Sequence, residues 1–261
     1  MIEEAAPGQE HLPVTNLAHS GPSESGSPSS DRRIGLGLMC KPPRPGATKT
    51  RLAASIGPEA AAALSQAFLK DCARAALDAA AETPLATIAF HRPADAAEEL
   101  AAILGPRWPL AYADAGDLGA TMLDVLRRLL EISPAGAMIM GADIPLISGE
   151  AIASAARALR ETEARVVLIP SDDGGYCLLG VRSLEAAAAL CAPMAWSTPV
   201  VLQETLERAQ AAGLTTHLFP AQRDIDEAAD LDWLRAQLRQ GVQAASFTRK
   251  ALADLDQKRG R

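Results

Sequence analysis

The chain has 261 residues, 48% hydrophobic and 3% aromatic, and its 25 Lys and Arg against 32 Asp and Glu leave a formal net charge of −7. That length suits one large domain or two small ones with a sizeable core, and the negative balance argues against a general nucleic-acid binder, which carries a broad basic surface. No apolar run approaches the ~20 residues that span a bilayer.

Cys40, Cys72, Cys177 and Cys191 form no CxxC pair, which disfavours a zinc site or a disulfide framework and fits a reducing compartment. The acidic, polar start is unlike a signal peptide. The expectation is a cytoplasmic protein with no membrane and no nucleic-acid partner. Residues 1–33, rich in Gly, Ser, Pro and Glu, have too little apolar surface to offset ordering entropy and read as a disordered tail. His11 and His19 fall there by chance rather than as metal ligands.

The folded part opens with a strand over 34–39 (IGLGLM). Its Gly35 and Gly37 begin a GxG, but Cys40 stands where GxGxxG requires its third glycine, so the dinucleotide fingerprint is absent. The following stretch, MCKPPRPGATKTRL at 39–52, holds Lys41, Arg44, Lys49 and Arg51 and no acid. Thr48 in front of Lys49 breaks the Walker A pattern. Pro42, Pro43, Pro45 and Gly46 prevent regular structure and leave a stiff basic loop. Such a loop at a strand end suits a phosphorylated ligand; an exposed connection with ordinary surface charge fits it equally.

Pro58 suits the first turn of a helix running to 79, with Leu64, Phe68 and Cys72 on one face. A strand at 85–90, a helix at 94–104, a strand at 109–113 and a helix at 118–130 follow. The apolar stripe of that last helix (Leu118, Met122, Leu126, Leu129) is a core face. A buried strand at 137–140 leads to a helix capped by Ser148, with Glu150 in its first turn. Strands at 165–170 and 176–181, a helix at 198–211, a strand at 215–219 and a helix at 227–240 complete the domain. Residues from Gly241 to the end read as a loosely held, flexible tail. Alternating short strands and helices indicate a largely parallel α/β sheet, and such sheets bind ligands at the carboxyl ends of their strands.

Those ends carry acids. Asp143 follows the fourth strand in GADIP, where it suits a divalent cation bridging phosphate oxygens or a simple turn cap. Asp172, Asp173, Gly174 and Gly175 follow the fifth strand; they allow close approach of a ligand or make an ordinary turn. Asp226 suits an N-cap of the last helix. Taken jointly, cations would hold phosphate charge while Asp143 and a second carboxylate hold Mg²⁺ or Mn²⁺, with catalysis by positioning and charge stabilisation. His91 and His217 have no partner suggesting a triad and read as structural.

The ordered motifs KPPRPGATKTRL, GDLGATM, GADIPLIS, PSDDGGYCLLG, WSTPVVLQETL and DIDEAADLDWL resemble a family of bacterial GT-A-fold transferases across 34–240. Its members are described as uncharacterised or as arsenosugar-biosynthesis-type glycosyltransferases, related to nucleotidyltransferases such as the phospholactate guanylyltransferases. The resemblance implies a nucleotide-diphospho-sugar transferase-like three-layer sandwich with a mainly parallel sheet. It implies that Lys41, Arg44, Gly46, Lys49 and Arg51 face the nucleotide phosphates, and that Asp143 and Asp226 hold the metal. It further implies that Asp172, Asp173, Gly174, Gly175, Trp196 and Ser197 border the acceptor, with Lys49 and Asp173 in the chemistry. Relatives usually carry a second acid after the GxDxP proline; here that position is Leu146, and more weight falls on Asp226.

Three functions follow. A glycosyltransferase would pass a sugar from a nucleotide-sugar donor to a small-molecule acceptor. A nucleotidyltransferase would couple an NTP to a phosphorylated acceptor and release pyrophosphate, and the KTRL loop favours it. A non-catalytic nucleotide-binding protein is the reading that Leu146 motivates.

Overall fold

Strands and helices alternate along the chain, and the computed structural model describes them over residues 32–161, 165–242 and 244–259. The expected N-terminal tail, 1–33, falls almost wholly outside the described residues. The order is β1 (Ile34–Cys40), α1 (Thr50–Ile56), α2 (Pro58–Glu82), β2 (Leu85–His91), α3 (Ala97–Leu104), β3 (Leu110–Tyr112), α4 (Leu118–Ile132), β4 (Ala137–Met140) and α5 (Gly149–Glu161). Then come β5 (Val166–Pro170), β6 (Tyr176–Val181), α6 (Leu184–Leu190), α7 (Val201–Ala211), β7 (Thr216–Leu218), α8 (Ala228–Arg239) and α9 (Ser246–Arg259). The strands form one seven-stranded sheet in the order β3-β2-β1-β4-β6-β5-β7. Neighbours pair parallel except at β6, which runs antiparallel to both β4 and β5.

Helices cover both faces of this sheet, so strands buried on two sides read as continuous apolar runs. Ile34, Leu36 and Leu38 of β1 pack toward α2 and α5, against Leu69, Cys72, Ile152 and Leu159. On the opposite face Ile139, Leu168 and Leu179 meet Val125, Leu126 and Leu129 of α4 and Leu190 of α6. Gly35 and Gly37 point to that second face. A Cβ on Gly37 would meet Leu129 and Val125 at 3.1 Å, so this GxG admits a closely packed helix. α4 starts where Asp117 accepts from the Ala120 amide at 2.7 Å, and α5 where Ser148 accepts from the Ala151 amide at 3.1 Å.

Several boundaries differ from the sequence reading. The basic stretch is not loop throughout, because Thr50 opens α1 and Leu52 buries into a third cluster with Phe68, Leu231, Leu234 and Leu252. α6 was not anticipated. Asp226 does not cap α8: Glu227 is the N-cap, in a reciprocal box with Asp230, and this leaves the Asp226 carboxylate free for other partners. The end of the chain is likewise not loosely held over its described part. α9 packs on α2, and buried Asp71 accepts from the amides of Phe247 (3.0 Å) and Thr248 (2.8 Å) and from the Thr248 hydroxyl (2.6 Å). The orphan amides of the first turn of α9 are thus satisfied from 176 residues away, a cap that local pattern does not reveal. Among the described residues no helix is long and apolar enough to cross a membrane.

Candidate functional site

The loops after β1, β2 and β4 and the segment ahead of α8 enclose a cleft of about 520 Å³ at the carboxyl edge of the sheet, with Lys41, Lys49, Arg51, Arg92, Asp143 and Asp226 on its walls. The loop from β1 is held by its prolines. Pro42 and Pro43 are buried, and two turns (Arg44 N to Pro42 O, 2.9 Å; Ala47 N to Arg44 O, 3.1 Å) fold it back. Lys49 ends the loop in the left-handed region, φ 48° and ψ 48°, while its carbonyl accepts from the Ala53 amide to start α1. For a non-glycine residue that conformation costs roughly 1–2 kcal/mol, and here it turns the side chain into the cleft.

There the Lys49 ammonium lies 3.0 Å from Asp143 Oδ1 and 2.5 Å from Asp226 Oδ1, with only 5% of its side chain exposed. Burial works against its charge, but the two carboxylates outweigh burial and hold its pKa above the ordinary lysine value. Arg51 pairs with the other oxygen of Asp226 at 2.6 Å. The segments that carry the carboxylates are joined through main chain, since the Ile225 amide donates to the Asp143 carbonyl at 3.0 Å and so ties the β4 loop to the 224–226 segment. Lys41 also lines the cleft, where burial first and Arg92 second lower its pKa against the pull of Asp143 and Asp114. Leu146, at the position of the expected second acid, packs with the cluster of Leu52, Phe68 and Ile225 and takes no part in the cleft wall.

A smaller cavity of about 230 Å³ adjoins the first and shares Gly141, Asp143 and Tyr176 with it. Asp173, Gly175, Trp196 and Ser197 line it, and Asp224 joins them. Asp173 Oδ1 accepts from the Gly175 amide at 2.9 Å, which orients the carboxylate. Asp224 accepts from the Ser171 hydroxyl at 2.8 Å; burial first, then Asp173 and Asp226, push its pKa up. The Trp196 wall is seated tightly, because a Cβ on Gly119 would stand 2.6 Å from the indole. The indole N–H is buried without a hydrogen-bond partner among the described residues.

Four residues assigned to the site from sequence stand elsewhere. Arg44 turns to Glu99 (2.9 Å) and Asp95 (3.6 Å) on the α3 side. Gly46 is an exposed turn residue at φ +76°. Asp172 is exposed and lines neither cavity. Gly174, at φ +88°, lies directly under Pro199, where a Cβ would come within 2.2 Å of its carbonyl oxygen; its role is close packing of the turn. Conversely, Arg92 and Asp224 were passed over. Arg92 lies directly past the end of β2, the same signal that singled out Asp143, whereas Asp224 stands six residues beyond β7.

The resemblance implies Mg²⁺ or Mn²⁺. Asp143 and Asp226 share one ammonium, so they are already close enough to share one cation. No group of three His, Cys, Asp or Glu suited to a metal exists among the described residues. The pair would supply two oxygen ligands to a hard cation and does not make a complete protein cage.

The family model for an "Uncharacterized protein conserved in bacteria (DUF2064)" matches residues 62–198, just over half of the chain. The chain belongs to this family. The match includes Asp143, Asp173, Trp196 and Ser197, while the basic loop and Asp226 lie outside it. A structure from Desulfovibrio desulfuricans G20, described as a nucleotide-diphospho-sugar transferase, is 26% identical, covers 86% of this chain and 97% of its own, and superposes with a TM-score of 0.75. A cytidylyltransferase from Leptospira borgpetersenii serovar Hardjo-bovis shares the fold at 12% identity (88% and 96% covered, TM-score 0.52). So does CMP:2-keto-3-deoxy-manno-octonic acid synthetase with CTP, at 12% identity (80% and 99% covered, TM-score 0.52). No curated protein matches the sequence significantly. The DUF2064 chain thus has the mixed α/β architecture of nucleotide-diphospho-sugar transferase structures.

Proposed function

We propose that the protein is a transferase that uses a nucleotide-activated donor, and specifically a Mg²⁺- or Mn²⁺-dependent glycosyltransferase of the GT-A type. The observation that carries this reading is the meeting of Lys49, Asp143 and Asp226, from three distant stretches of sequence, beside Lys41, Arg51 and Arg92 in one cleft. Of these charges only the Lys49 ammonium is buried, while Lys41 and Arg51 are exposed and Arg92 half-buried, so the cleft presents cationic charge that an anionic ligand can reach. The cations match donor phosphates, and the carboxylate pair matches a cation bridging them. The likeness at 26% identity to a protein described as a nucleotide-diphospho-sugar transferase supports the same class.

In this mechanism Lys41, Lys49, Arg51 and Arg92 bind the diphosphate and orient the donor. Asp143 and Asp226 would hold the metal, which supplies charge stabilisation to the departing diphosphate. The acceptor hydroxyl oxygen bonds to the donor's anomeric carbon as that carbon's bond to the diphosphate oxygen breaks. The nucleoside diphosphate leaves with the electron pair, and Asp173, lining the adjoining cavity, takes the hydroxyl proton. Nucleotidyl transfer is the second reading, favoured by Lys49 and Arg51 at the end of the basic loop, where they would stabilise charge on an α-phosphate under attack. Incubation of the purified protein with Mg²⁺ or Mn²⁺, a panel of NTPs and nucleotide sugars, and a metabolite extract as acceptor separates the two. Acceptor-dependent release of a nucleoside diphosphate supports glycosyl transfer, release of pyrophosphate supports nucleotidyl transfer, and no turnover with nucleotide-dependent thermal stabilisation indicates a binding protein.

A further inference from the structure

The charges of the two adjoining cavities are sorted. Lys41, Lys49, Arg51 and Arg92 all line the larger one, and among the described residues no Lys or Arg lines the smaller. The smaller presents Asp143, Asp173 and Asp224, the hydroxyls of Ser171, Ser197 and Thr198, and an aromatic wall from Trp196 and Tyr176. Two cations near these residues in sequence are committed elsewhere. Arg223 pairs with Asp230 at 2.9 Å and stacks on Trp233, while Arg208 pairs with Glu204 and donates to the carbonyls of Ala192 and Pro193. Lys49, at the boundary, is already held by Asp143 and Asp226.

We infer that the acceptor bound in the smaller cavity is a carbohydrate-like polyol, neutral or amine-bearing, without a phosphate or carboxylate group. This rests on the reading of the larger cleft as the donor site. Carboxylates and hydroxyls accept and donate hydrogen bonds to sugar hydroxyls, an indole face covers the apolar side of a ring, and carboxylates attract an ammonium. An anionic substituent away from the metal would meet the like charge of Asp173 and Asp224, with no Lys or Arg among the described residues on that wall to offset it, and like-charge juxtaposition of this kind disfavours a ligand. The sorting also keeps the product diphosphate on the cationic side, away from the acceptor.

The test uses the full-length protein with Mg²⁺ and saturating nucleoside diphosphate, the base being chosen from ADP, GDP, CDP and UDP by thermal stabilisation. Glucosamine and glucosamine 6-phosphate are then titrated, with saturation-transfer NMR and tryptophan emission as readouts and Trp196→Phe as the control that assigns the emission. The expected result is glucosamine binding at least tenfold tighter than its 6-phosphate, with the preference lost in Asp173→Asn and reversed in Asp173→Lys. Asp173 is exposed, so neither variant threatens folding. Equal or tighter binding of the phosphate, or binding of neither sugar by protein that does bind nucleotide, overturns the inference and leaves the donor reading standing. Absence of nucleotide binding overturns the donor reading and this inference with it.

Discussion

The ammonium of Lys49 lies 2.5 Å from a carboxylate oxygen of Asp226, a residue 177 positions later in the chain. With Asp143 on its other side, Lys49 stands where the two carboxylates would otherwise receive a cation. Its removal should act in two directions. Lys49→Ala loses a phosphate-binding charge, so nucleotide affinity should fall about tenfold to a hundredfold, the ~1.5–3 kcal/mol typical of a charged hydrogen bond. The same variant frees Asp143 and Asp226, so Mn²⁺ should bind the nucleotide-free protein more tightly than it binds wild type, as read by the EPR signal of free Mn²⁺. Unchanged Mn²⁺ affinity would show that Lys49 does not compete for the carboxylates.

Backbone strain at Lys49 gives a separable outcome. Glycine adopts the left-handed region without the side-chain penalty, so Lys49→Gly should be more stable than Lys49→Ala by about 1 kcal/mol. That corresponds to a Tm about 2–4 °C higher for a domain of this size. Both variants lack the ammonium, so the comparison isolates conformation from charge, and equal Tm values would refute the strain.

Much of this was legible in sequence, and the pattern of misses is physical. β1, β4 and β6 are buried on both faces, so their apolar runs announce themselves. Asp143 and the basic loop stand out because charge and glycine directly follow such runs. Arg44 and Asp172 carry the same signals, yet side-chain direction settles their roles, and Glu99 draws Arg44 away. α9 escaped notice because its cap, Asp71, lies on α2 and its apolar contacts are few. Asp226 read from the residues alone as the cap of the last helix, but Glu227, one residue on, does the capping.

Asp143→Asn keeps the volume and removes the charge. Metal-dependent turnover should fall by at least a hundredfold in this variant, and its circular dichroism should match wild type, because the Ile225 amide is held by the Asp143 main chain and not by its side chain. Full activity in the presence of Mg²⁺ would remove Asp143 from the metal site.

Gly174→Ala tests the turn that presents Asp173. The residue sits at φ +88° with Pro199 directly above it, so a methyl group brings both left-handed strain and a clash with backbone. A loss of about 2–5 kcal/mol is expected from strain and overpacking together. The Pro199 segment adjoins Trp196, Ser197 and Thr198 on the cavity wall, so acceptor KM should rise more than donor KM. Equal effects on both substrates would detach this turn from acceptor binding.

Asp71 holds the start of α9, and its titration sets a pH signature. Burial raises its pKa, against the lowering effect of the hydrogen bonds from Thr248 and Phe247. A carboxyl whose folded pKa lies above its unfolded value binds protons more strongly when folded. Its contribution to stability is therefore full below the unfolded value of 3.8 and is lost as pH rises through the folded value. Asp71→Asn removes this titration and replaces one acceptor oxygen by an amide donor facing the Thr248 amide and hydroxyl. The variant should be less stable by about 1–3 kcal/mol, the cost of unsatisfied buried groups. The stability gap to wild type should narrow as pH rises from 4 to 7, measured by urea denaturation at each pH. A gap that widens over that range would mean that the hydrogen bonds to the carboxylate outweigh its burial. Faster amide exchange over Ser246–Arg259 in the variant, with β1 and β4 unchanged, would locate the loss at the α2–α9 contact.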